Sequence, residues 1–245
     1  MIKPKRIWAV LLTACMFLTF APVQAFASTT NGKCGDNVFY SFDFDTGHLN
    51  ISGEGAIRSY TYSSNAPWYY YDNIVSVNIE PGVTGIGDYA FFWCDKITCV
   101  TISNSVKSIG LSAFENCKAL TSVNIPDGVE SIGIGAFENC EALTSVNISG
   151  SVKSIGEKAF SGCYISAEYA EDGIEKGLEK VTIQDGVESI DTFAFSGCKK
   201  LTDVTLPDSV TSIGDNAFQY TGLYDLYEHT GWNVCYIRNH LIAAN

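Results

Sequence analysis

Residues 120–140 read LTSVNIPDGVESIGIGAFENC, and this stretch decides the fold. Val123 and Ile125 are apolar and two apart, the mark of a short strand with one face turned inward. Pro126-Asp127-Gly128 follows, which is turn chemistry. Val129 and Ile132 then form a second apolar pair, whose β-branching favours another short extended segment. Gly133, Ala136-Phe137 and Cys140 complete the unit. One helical turn is expected across the Ala-Phe stretch, returning the chain to its next strand.

Moving outward, the same frame recurs. Ala-Phe stands at Phe91, Phe114, Phe137, Phe160, Phe195 and Phe218, at four intervals of 23 residues and one of 35. Ile74/Val77/Ile79 aligns with Ile97/Val100/Ile102, Leu120/Val123/Ile125, Leu143/Val146/Ile148, Leu178/Val181/Ile183 and Leu201/Val204/Leu206. A second series runs Val83/Ile86, Val106/Ile109, Val129/Ile132, Val152/Ile155, Val187/Ile190 and Val210/Ile213, and Gly follows it everywhere except at Asp191. A fixed period of this size predicts a solenoid, in which one coil buries its apolar face only against the next.

The frame L-x-x-V-x-I-P-x-x-V-x-S-I-G-x-x-A-F-x-x-C resembles the BspA-type, or Treponema pallidum-type, leucine-rich repeat, over residues 74–226. The resemblance implies a leucine-rich-repeat solenoid of short parallel strands. Proteins of that family are bacterial surface adhesins that engage host matrix proteins or other cells, so it also implies an exported binding module. No binding residue transfers with it. The last unit departs from the pattern: Thr221 replaces Cys, and Leu223 and Leu226 lead into Tyr227-Glu228-His229. Residues 227–245 are therefore expected to form a terminal cap or tail.

The chain begins with Lys3, Lys5 and Arg6, then the apolar run Ile7 to Phe20, then Ala25-Phe26-Ala27. This is the order of a signal peptide over residues 1–27, cleaved after Ala27. Leu12-Thr13-Ala14-Cys15 offers the alternative of a lipoprotein acylated at Cys15. The apolar run is shorter than the roughly 20 residues a bilayer span needs, so no membrane insertion is expected after cleavage. The 245-residue chain carries a formal charge of −12, and losing three leader cations makes it −15. Such an acidic surface argues against nucleic acid as a partner. A secreted or cell-surface monomer that binds a protein or glycan is expected.

Nine cysteines in an exported chain ordinarily point to disulfides. Here Cys94, Cys117, Cys140, Cys163 and Cys198 share one repeat position, and coils about 4.8 Å apart would stack them into an inward column. Buried apolar filling is the expected role, because no C-x-x-C or paired ligand spacing supports metal. Cys34 and Cys235 lie near opposite ends, too far apart to pair, and Cys99 falls on an exposed column.

Residues 28–73 precede the repeats as an N-terminal cap. Within it Val38, Tyr40, Phe42 and Phe44 alternate, Asp45-Thr46-Gly47 turns, and Leu49 and Ile51 return as a hairpin. Trp68, Tyr69, Tyr70 and Tyr71 either stack on sugar rings or pack as the rim of this cap. The long interval places an insertion at 164–177, with Tyr164, Glu168, Tyr169, Glu171 and Asp172. Such insertions become loops, often on a binding face, or remain solvated bulges. Its acids match no calcium loop. Lys107, Glu130, Lys153 and Glu188 share a column and should alternate in sign along the stack.

No catalytic constellation emerges. His48, His229 and His240 lie in the flanks, and there is no G-x-S-x-G, H-E-x-x-H or phosphate loop. No cofactor or metal site and no enzymatic activity are expected. A polysaccharide-acting β-solenoid enzyme and a passive spacer remain as alternatives. The first would need acids and cations clustered on a sheet face that instead holds Ser, Thr and Asn.

Overall fold

A computed structural model describes residues 28–223 and the backbone of 234–237 and 240–244. The leader, Cys15 and the greater part of the expected C-terminal cap lie outside the described residues. Two ladders run along the molecule. The first is a nine-stranded sheet ordered 29–33, 38–43, 48–53, 76–79, 99–102, 122–125, 145–148, 180–183 and 203–205. The second has seven strands, from 55–56 through 83–86, 108–109, 131–132, 154–155 and 189–190 to 212–213. The pairings between coils are parallel and, apart from a bulge where 55–56 meets 83–86, in register, so Val123 lies beside Val146 and Ile132 beside Ile155.

The cores of these coils are apolar. Leu120, Val123, Ile125, Val129 and Ile132 are all buried, while Ser122 and Asn124 between them are exposed. Phe91, Phe114, Phe137, Phe160, Phe195 and Phe218 are fully buried and form one stack. Consecutive rings lie 4.9, 5.1, 5.1, 5.3 and 5.3 Å apart and within 10° of parallel. The spacing is close to the strand repeat, so ring offset and ladder pitch reinforce each other.

The helical turn expected at each Ala-Phe takes a more specific form, and almost no helix is present among the described residues. Residues two before and two after each Phe have positive φ, as at Ser112 (49°) and Asn116 (61°). This alternation aims successive N–H groups at the next coil. Phe114 N donates to Ala136 O at 2.8 Å, and Ser112 and Asn116 donate to Ile134 O and Glu138 O. The crossing segments are thus a third hydrogen-bonded ladder, in which a continuous helix would have turned these donors inward. Gly133 follows the second strand where neighbouring coils approach closely. A Cβ there would lie 2.7 Å from the Gly110 carbonyl carbon.

The cap carries this architecture to its end. Residues 38–43 and 48–53 pair as the expected hairpin, and an additional strand, 29–33, covers its outer edge. Residues 48–53 also pair in parallel with 76–79, setting Leu49 beside Val77 and Ile51 beside Ile79. Trp68, 23 residues before Phe91, stacks on it at 5.3 Å and terminates the aromatic column. Its indole N–H donates to Ala90 O at 2.9 Å, filling the place of the backbone donor that Phe91 offers to Ala113.

Candidate functional site

Two places interrupt the regular surface. At the N-terminal end, four aromatic residues of the predicted rim separate by role. Trp68 is fully buried as the end of the ring column, which corrects its expected place in a binding site: neither ring face is free. Tyr71 is partly buried against Phe42 (4.9 Å, stacked) and Phe44. Tyr69 and Tyr70 are exposed and meet edge to face at 5.1 Å. The structure adds rings that the sequence reading missed. Phe92 contacts Tyr62, Tyr89 and Trp93 at 5.6, 5.4 and 6.3 Å. Tyr62, Tyr70 and Trp93 are 77%, 78% and 50% exposed, so both groups of rings stand open to solvent. Lys118 Nζ lies 5.9 Å from the Trp93 ring centroid and pairs with Glu141 at 2.9 Å.

The second interruption is the insertion. Tyr164–Ile165 and Lys176–Gly177 pair antiparallel at its base. Leu178 N donates to Cys163 O at 2.9 Å, the bond that Leu143 N makes to Cys140 O in an uninterrupted coil. The insertion therefore closes on itself and leaves the coil intact. Asp172 is held below the usual carboxylate range by Lys176, 2.6 Å away. Glu168, Tyr169, Glu171 and Ile174 are exposed, whereas Tyr164 is half-buried with Lys199 above its ring. The insertion and the rim are distinct places on the described surface.

Elsewhere the surface is structural. Lys107–Glu130 and Lys153–Glu188 pair at 3.4 Å, as the alternating column predicts. Asn147 donates to Asn124 at 2.8 Å along the exposed sheet face, which holds a depression lined by Ser145 and Lys180 among others. Cys117, Cys140, Cys163 and Cys198 are buried free thiols, and burial pushes each above its ordinary range. Each Sγ donates to the carbonyl of a Phe one coil earlier, as Cys117 does to Phe91. Cys94 is only partly buried, and Cys99 is exposed as expected. His229 and the side chains of Cys235 and His240 lie outside the described residues. His48, expected to be apart from any nucleophile, hydrogen-bonds Ser76 at 2.8 Å as its cross-strand partner. The pair is exposed on an open ladder.

A family model of the BspA type leucine rich repeat region matches six copies, over residues 63–176 and 172–239. The chain belongs to the BspA-type leucine-rich repeat family. Among solved structures, this BspA-type chain is similar to the T. pallidum leucine rich repeat protein, at 26% identity and TM-score 0.52, covering 79% of this chain and 92% of that one. It is also similar to a leucine rich cell surface protein from Faecalibacterium prausnitzii A2-165, at 27% identity and TM-score 0.55, covering 86% of this chain. A leucine-rich repeat protein from Bacteroides ovatus matches at 24% identity and TM-score 0.47, over 77% of this chain. This BspA-type chain spans 57% of the Faecalibacterium chain and 56% of the Bacteroides one. No curated protein matches it.

Proposed function

We propose that this chain is an exported binding module of the bacterial cell surface, which attaches to a protein or glycan partner. The observation that carries the reading is the open aromatic surface around Phe92 and Trp93, set on a solenoid whose other faces hold small polar groups and internal ion pairs. Exposed Trp and Tyr of this kind are enriched where proteins meet partners. Export rests on the order of cations, apolar run and Ala-Phe-Ala in residues 1–27. The surface location also draws on the similarity to a cell surface protein from Faecalibacterium prausnitzii. A solenoid enzyme is disfavoured by the exposed sheet face, where Ser122, Asn124, Ser145 and Asn147 supply neither an acid nor a base and Lys180 is tied to Asp203 at 2.7 Å.

The test is an array of matrix proteins and glycans probed with residues 28–245. Saturable binding to at least one of them is expected. Failure across the array leaves the spacer reading. The secreted protein should begin at Ser28, whereas lipid on Cys15 would place it on a membrane.

A further inference from the structure

The position two residues after each buried ring holds left-handed backbone. Most coils fill it with Asn or Gly: Asn116, Asn139, Gly162 and Gly197. Trp93 (φ 61°) and Tyr220 (φ 56°) occupy it with rings, and the matching position before the ring holds Tyr89 (φ 54°) at the N-terminal end and Phe193 (φ 59°) further along; among the described residues only Tyr89 and Trp93 share their end with further outer rings, through Phe92. Bulky side chains are rare in this region, and such strain concentrates where structure serves function. The position directly after the ring changes in the same way. It is Tyr69 and Phe92 at the N-terminal end, then Glu115 and Glu138 in the coils that follow. The core does not require these outer rings, because Trp68 and Phe91 already complete the buried stack.

The chemistry around the rings is that of a cation site. Aromatic faces carry the negative lobe of the ring quadrupole, and Trp93 already holds the ammonium of Lys118. The column continues into Glu115 and Glu138. Burial, then the charge of Glu115, raises the Glu138 carboxyl above its ordinary range, so these acids repel one another. The whole chain carries −12. We propose that Tyr62, Tyr69, Tyr70, Tyr89, Phe92 and Trp93, with Glu115 and Glu138 beside them, dock a basic polypeptide segment whose Arg and Lys side chains lie on the exposed rings. This inference rests on the binding-module reading and adds the chemistry of its partner.

The test is calorimetric titration of residues 28–245, at 150 mM salt, with a ten-residue peptide of alternating Arg and Ser. Chitohexaose and cellohexaose serve as uncharged glycan probes. The Tyr70→Ala/Trp93→Ala variant should weaken peptide binding at least tenfold. Trp93→Asn, which installs the residue used by neighbouring coils, should weaken it without disturbing the backbone if the double variant folds poorly. Glu168→Gln/Glu171→Gln/Asp172→Asn, which removes three acids from the insertion, should change it less than twofold. Equal losses in the two sets would mean diffuse attraction between polyions and overturn the proposal. Hexasaccharide binding that needs Trp93, without peptide binding, would assign the surface to glycans and overturn it too. If neither probe binds while an array partner does, with the ring variants unaffected, this inference fails and the module reading stands. If the array is also blank, the module reading fails with it.

Discussion

Replacing Phe137 by Ala removes the middle ring of the column. Phe137 is fully buried, with Phe114 and Phe160 each 5.1 Å away and within 4° of parallel. Phe→Ala in a core costs about 3–5 kcal/mol, from lost transfer energy and the cavity left behind. Two ring contacts add about 0.5–1.5 kcal/mol each beyond area burial, which places this site in the upper half of that range. Relaxation is restricted, because the backbones on either side are pinned by Phe114 N to Ala136 O and Phe137 N to Ala159 O, at 2.8 and 2.7 Å. Each coil touches only its neighbours, so the loss falls on both interfaces of one coil. Urea unfolding followed by circular dichroism should show a loss of about 4–5 kcal/mol, or a transition split in two. A loss below about 1 kcal/mol, with one cooperative transition, would refute the stacked column as the main anchor.

Trp68→Phe keeps a ring on Phe91 but deletes the donor to Ala90 O, and urea unfolding should show a loss of about 1–3 kcal/mol. Burial raises the thiols of Cys117, Cys163 and Cys198, so the folded state keeps protons that the unfolded chain releases above roughly pH 8.5. Stability is therefore intact below that pH and falls as pH rises, by about 1.4 kcal/mol per pH unit per thiol, or about 4 for the three. An unchanged urea midpoint between pH 8 and pH 10 would contradict buried, reduced thiols, as would rapid native labelling of any buried Cys. Removing residues 165–176 should leave the far-UV spectrum and unfolding midpoint nearly unchanged, because Cys163 and Leu178 already close the coil; a broad or lost transition would mean that the insertion braces the stack.

The solenoid was legible because one period repeats through side chains with a single role. Val123, Ile132 and Phe137 each recur every coil, and each is buried. The end of the column was not legible, since Pro67-Trp68 stands where Ala-Phe is expected. The signal was the count of 23 from Trp68 to Phe91. The left-handed positions also had a mark, in Asn116, Asn139, Gly162 and Gly197, each two residues after a column Phe. Reading it would have marked Trp93 and Tyr220 as the residues that break the rule. The contact of Tyr62 with Phe92 left no such mark, because a 30-residue separation outside the repeat encodes no geometry. The same holds for His48 and Ser76, which meet only because the hairpin joins the parallel ladder in register. The strand at 29–33 lacks apolar alternation and forms as edge cover for 38–43.

The central claim is that partners meet this protein where its repeats are interrupted by exposed rings, and not on its regular polar faces. Its most direct measurement is the affinity of the first partner found by the array for three chains: the parent, Tyr70→Ala/Trp93→Ala, and the chain lacking residues 165–176. The account predicts at least a tenfold loss for the ring variant, about 1.4 kcal/mol, with the deletion close to the parent. Parent-like affinity in both variants would place the partner on the flat Ser, Thr and Asn face and contradict the account.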